Sequence, residues 1–100
     1  MVRGNNTDAN GNIFKSSIVD AVWKKAIEIK TINPDFVRRD ICEDSIAKSD
    51  YGKTDKCGWE IDHINPVSNG GTDNIGNLQP LFWENNRAKS DKYPWKCSDR

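Results

Sequence analysis

A small α+β domain is what this sequence predicts, and three observations predict it. Ile18 to Lys30 repeats its apolar residues at helical spacing, while Trp59 to Asp91 reads as strand, long loop, strand and helix. The apolar composition, ten Ile and four Trp against two Leu, favours strands and a few aromatic anchors over a helical bundle. One hundred residues leave room for a single hydrophobic core. That core is expected to be thin, since the apolar residues and glycine, Tyr aside, number 40, against roughly 45–50% in an average globular chain.

Each element follows from its own stretch. Residues 1–12, MVRGNNTDANGN, are polar and glycine-rich and predict a flexible lead-in, with one domain over 13–100 and its core motif at 57–91. Ser17 followed by Asp20 resembles a capping box, and Ile18, Val22, Ala26 and Ile29 then fall about one turn apart. A helix is therefore expected over Ile18–Lys30, ended by Asn33-Pro34. Val37–Cys42 and Ile46–Lys48 predict a short extended hairpin turning at Glu43-Asp44-Ser45. Cys57–Asp62 alternates as a strand, with Trp59 and Ile61 on one side, and delivers His63. After Pro66 a glycine-rich loop leads to a strand at Leu78–Phe82 and a helix from Trp83 or Glu84 to about Ser90, which places Asn86, Lys89 and Ser90 on one face. Tyr93-Pro94-Trp95 is expected to fold back onto the domain.

Formal net charge is zero, but its distribution is uneven. Residues 40–73 carry −5, whereas 20–39 and 84–100 are each +2 and 1–19 is +1. An acidic centre between basic segments suits a cation site flanked by phosphate-contacting arms. The sequence has no secretory, transmembrane or lipidation signal, so a soluble, intracellular (cytoplasmic) chain with no membrane partner is expected. Cys42, Cys57 and Cys97 form no C-x-x-C pair, and their odd number predicts free thiols.

His63 is the only histidine, and it follows Asp62 at the end of a strand. A carboxylate-histidine doublet with an asparagine-rich helix entry suggests a site for one metal ion and one base. Asp62-His63-Ile64, Pro66, Ser68, Gly70-Gly71, Asn77-Leu78, Pro80-Leu81 and Asn86-Arg87-x-Lys89 together resemble the HNH endonuclease family over about a third of the chain. The resemblance implies a small ββα-metal motif, here with an N-terminal helix and a short extra hairpin. It also implies roles: His63 as general base, Asn77 tying down the loop that holds the histidine, Asp62 and Asn86 as metal ligands, and Arg87 and Lys89 as phosphate contacts. Asparagine at 86 is similar to the variant found in the nuclease domain of CRISPR effectors.

Those residue types suit phosphodiester hydrolysis, which needs a base, charge neutralisation on the phosphoryl oxygens and a stabilised leaving oxygen. Carboxylate and amide oxygens form a hard site for one Mg²⁺ or Mn²⁺. Many family members also carry a zinc knuckle of two C-x-x-C pairs. The corresponding places here hold Cys42 with Ser45 and Phe82 with Asn85, so no structural zinc is expected, and packing of Trp59, Phe82 and Trp83 is a candidate substitute. The reading is a metal-dependent HNH endonuclease that cuts DNA by nicking or double-strand cleavage, leaving 5′-phosphate and 3′-hydroxyl ends. A double-strand cut from one site requires sequential nicks, a homodimer or a larger nuclease assembly. The alternative is a nucleic-acid-binding accessory module of a phage, defence or mobile-element assembly; a ribonuclease toxin is a third reading.

Overall fold

A computed structural model describes residues 3–100. Its first helix, α1, spans Ser16–Trp23, with Lys15 preceding it and no side-chain cap. The helix expected over Ile18–Lys30 is thus shorter and earlier, and Ser17 lies inside it. The cause lies elsewhere in the chain. Arg38, 8% exposed, donates from Nη1 to the Lys24 and Ala26 carbonyls and from Nε to the Pro34 carbonyl, and its guanidinium stacks over the Trp23 ring. Carbonyls that a continuing helix would bond internally are satisfied by this side chain instead.

The chain then enters a strand the periodicity did not predict. β1 (Ile27–Glu28) pairs antiparallel with β2 (Val37–Arg39), which pairs antiparallel with β3 (Ser45–Ala47). The β2–β3 turn is organised by Asp40, whose carboxylate is fully buried. Its Oδ1 accepts from the Cys42 and Asp44 amides at 2.9 and 3.0 Å, and its Oδ2 accepts from the Phe82 amide and Asn85 Nδ2 at 2.9 Å each. Buried and fully hydrogen-bonded, Asp40 joins the small sheet to the C-terminal half.

That half is a second antiparallel pair, β4 (Trp59–His63) with β5 (Leu78–Phe82), followed by α2 (Trp83–Lys89). Trp59 lies opposite Phe82 and His63 opposite Leu78. The core gathers Phe14, Val22, Trp23, Ala26, Ile46, Trp59, Ile61 and Leu78. Trp59 sits at its centre, fully buried, with ring centroids 5.3 Å from Trp23 and 4.8 Å from Tyr51. Large tilted aromatic pairs therefore carry much of the burial in a chain poor in leucine.

The tail folds back, and the expectation of three free thiols is corrected there. Cys42 and Cys97, 55 residues apart in sequence, form a disulfide with Cα atoms 5.5 Å apart; Cys57 is free and half-buried. Only tertiary folding brings the two together, so spacing gave no sign of the pair. Asn85 Nδ2 also donates to Asp44, and Arg100 Nη1 donates to both Asp44 and Asn85. At the places where a knuckle would put thiolates, hydrogen bonds and one disulfide join the hairpin, α2 and the tail. Reduction is expected to destabilise the protein by about 2–4 kcal/mol, because the unfolded chain regains the freedom of a long closed loop. Urea unfolding with and without reductant checks this, and coincident midpoints would refute it.

Candidate active site

All five residues of β4 are buried, although three are polar. Alternation along the strand sorts them. Trp59, Ile61 and His63 face the aromatic core, where the His63 ring lies 6.0 Å from Phe14. Glu60 and Asp62 face α2. The buried side of α2 consists of Asn85, Asn86 and Lys89, so polar groups join it to the strand. Asn86 Nδ2 donates to Glu60 Oε1 at 2.7 Å, and Arg87 forms a two-pronged pair with Glu60 at 2.5 and 3.0 Å.

Lys89 is 2% exposed. Its ammonium lies 3.2 Å from Asp62 Oδ1 and donates to the His63 carbonyl at 3.0 Å, while Gln79 donates to Asp62 Oδ2 at 2.9 Å. Lys89, read from sequence as a phosphate contact, is thus turned inward onto Asp62, whereas Arg87 remains partly exposed. Burial pushes the Asp62 carboxyl above the ordinary carboxylate range, with the Gln79 hydrogen bond and the Lys89 charge opposing it.

Asp62, His63 and Asn86 all line one open cleft of about 530 Å³, although Asp62 and His63 lie on opposite faces of β4. They share it because the strand ends at His63, and the cleft wraps around that end. Residues of the N-terminal segment, Arg3 and Asn6 among them, form the facing wall. Of residues 1–12, read from sequence as a flexible lead-in, 1 and 2 lie outside the described residues. The others are fastened here by Asn6, whose Oδ1 accepts from the Tyr51 hydroxyl and the Ile61 amide, while Asp8 Oδ1 shapes the segment itself by accepting from the Asn10 and Asn12 amides.

Asn77 lies outside the cleft and clasps the long loop between β4 and β5. Its Oδ1 accepts from the Asn65 amide at 2.8 Å, its Nδ2 donates to the Asn65 and Thr72 carbonyls, and its backbone carbonyl accepts from the Ile64 amide. Glycine makes the fold of this loop possible. A Cβ at Gly71 would lie 1.7 Å from the Asn65 carbonyl oxygen, and Gly70 sits at φ 87°. Removing the clasp with Asn77→Ala is expected to loosen the loop and to speed hydrogen exchange at the Asn65 amide, which loses its acceptor. Exchange rates of the two proteins check this, and unchanged protection would show the clasp to be dispensable.

The loop so held carries a residue that sequence reasoning missed. Asp73 Oδ1 lies 2.8 Å from His63 Nε2, and its carboxylate also accepts from the Ala9 amide at 3.0 and 3.1 Å. A signal was present, because Asp73 is the one charged residue between 64 and 77. Its slight burial favours the protonated form, but hydrogen bonds from His63 and Ala9, with the Arg3 charge, hold its carboxyl below the ordinary carboxylate range.

Among the described residues no group of three or more His, Cys, Asp or Glu side chains could hold a metal ion. Oxygen donors remain. Asn86 gives its NH₂ group to Glu60, so its carbonyl oxygen, the ligating atom of an amide, has no protein partner among the described residues. Asp62 accepts one contact on each oxygen and keeps lone pairs on both. Carboxylate and amide oxygens are donors of the kind that hard divalent cations take, so the residue types on this cleft are compatible with one.

An antiparallel hairpin backed by a helix, with a histidine and a carboxylate at the hairpin's end, is a ββα site. A family model described as HNH endonuclease matches residues 41–92, just over half of the chain, and the chain belongs to that family. No curated protein and no solved structure matches it. Membership gives nuclease-type chemistry and a nucleic-acid substrate as the function class. No helix among the described residues is long and apolar enough to cross a membrane.

Proposed function

We propose that this protein is a divalent-metal-dependent endonuclease that hydrolyses DNA to 5′-phosphate and 3′-hydroxyl ends. The observation that carries the reading is the convergence of Asp62, His63 and Asn86 on one cleft in a chain of the HNH family. His63 acts as general base and takes a proton from the attacking water at a ring nitrogen. Asp62 and Asn86 hold the ion, and Asn77 keeps the loop beside the histidine in register. Bound there, Mg²⁺ or Mn²⁺ supplies charge neutralisation on the phosphoryl group and at the leaving 3′-oxygen. Arg3 on the cleft wall and the exposed part of Arg87 are the cations that meet phosphate oxygens. Lys89 instead offsets the charge of Asp62, which would weaken the hold of that carboxylate on a cation.

That same ion pair favours a second reading, a nucleic-acid-binding module in which Asp62 is structural and cleavage is weak or absent. Product chemistry separates the two. Incubation of supercoiled plasmid with protein and Mg²⁺ is expected to give nicked circles that DNA ligase reseals, since resealing requires 5′-phosphate and 3′-hydroxyl ends. Band shifts without nicks would favour the binding module, and nicks that ligase cannot reseal would contradict the proposed chemistry.

A further inference from the structure

We propose that Asp73 is the positioning residue of the base: its carboxylate holds the proton on Nε2 of His63, leaving Nδ1 as the basic atom, and the Ala9 amide fixes Asp73 in that place. The inference rests on the reading of His63 as general base and extends it to a partner and a tautomer. His63 is 4% exposed, and Asp73 is the hydrogen-bond partner of its ring among the described residues. An ionised carboxylate can only accept a hydrogen bond, so the 2.8 Å contact requires the proton of the neutral ring to sit on Nε2. The lone pair is then on Nδ1. Fixing the tautomer of a catalytic histidine through its second nitrogen is a recognised use of a neighbouring carboxylate.

Three constraints keep Asp73 in place. Gly71 approaches the Asn65 carbonyl as no larger residue could, Asn77 bonds across the loop to Asn65 and Thr72, and the Ala9 amide reaches both Asp73 oxygens. The last of these joins the N-terminal segment to the base. Residues 3–12 accordingly contribute to catalysis by holding Asp73, in addition to walling the cleft.

The test uses the single histidine, whose ring nitrogens are the only imidazole signals in a ¹⁵N spectrum of the whole chain. Wild type, Asp73→Asn and Ala9→Pro are compared by long-range ¹H–¹⁵N spectra of the neutral ring, by DNA cleavage rate and by DNA affinity. Wild type is expected to show the Nε2–H tautomer. Asp73→Asn should shift the population toward Nδ1–H and slow cleavage by about 10²–10⁴-fold with DNA affinity unchanged. Ala9→Pro, which removes the amide donor, should change both readouts in the same direction by less. Asp73 is 40% exposed, so the asparagine variant is expected to fold. An Nδ1–H tautomer in wild type, or an unaltered tautomer and rate in Asp73→Asn, would overturn the proposal. Failure of the nuclease reading looks different: wild type would not cut DNA, and the spectra alone would then decide whether Asp73 holds the ring.

Discussion

His63→Ala is expected to slow cleavage of bound DNA by about 10²–10⁴-fold, the usual range for loss of a general base, with DNA affinity close to wild type. The two quantities separate because His63 offers the substrate no positive charge when it works as a base. Affinity for DNA resides in phosphate contacts, which by this reading fall to Arg3, Arg87 and the bound ion. Cleavage measured with enzyme in excess isolates the chemical step from binding and product release. The His63 ring packs near Phe14, so a thermal melt of the variant belongs beside the rates. Equal loss of cleavage and affinity in a folded variant would remove the base assignment.

The largest effect on stability is expected at Lys89→Ala. Lys89 and Asp62 side chains are 3% and 6% exposed and lie 3.2 Å apart. Taking away the ammonium leaves a buried carboxylate with only the Gln79 hydrogen bond, and breaking such a pair costs about 3–5 kcal/mol. Urea unfolding measures it, and a midpoint equal to wild type would show that the pair contributes nothing.

The pH dependence of that loss has a definite sign. Burial already raises the Asp62 carboxyl above the ordinary range, and Lys89 is among the groups opposing the rise. Without Lys89 the folded protein therefore prefers a protonated Asp62 more strongly, and folding takes up a proton that the unfolded chain binds only at lower pH. The deficit is present in full above the raised folded value and narrows as pH falls through it toward the ordinary carboxylate range. A deficit that widened on acidification would contradict the assignment of the buried charge to Asp62. The double replacement Asp62→Asn with Lys89→Met should recover part of the loss, since it removes both charges.

Elements set by local pattern were legible. The strand expected at Leu78–Phe82 has those bounds in the structure, and the helix expected from Trp83 or Glu84 to Ser90 spans Trp83–Lys89. Alternation and turn residues suffice there, because the partners lie within one hairpin. Elements decided by distant partners were not legible. The end of α1 is set by Arg38, two strands away, and β1 is two residues long and exists only by pairing with β2. Cys42 and Cys97 meet only after the tail has folded back.

Legibility of the site divides the same way. Asp62, His63 and Asn86 could be placed in one cleft because the order and spacing of the motif mark them. Lys89 could not be seen to turn inward, because a lysine on a short polar helix ordinarily faces water, and the buried acid that draws it in sits 27 residues earlier on another element. Asp73 was visible only as one more acidic loop residue. Its role depends on a loop whose path is set by Gly71, Asn77 and the N-terminal segment together.

The most direct test is cleavage of supercoiled plasmid by wild type and His63→Ala side by side, with Mg²⁺, Mn²⁺ or EDTA. Nicking by wild type with either ion, suppressed by EDTA and lost in the variant, is the expected result. Metal-independent nicking, or equal nicking by both proteins, would contradict a metal-dependent site built around His63.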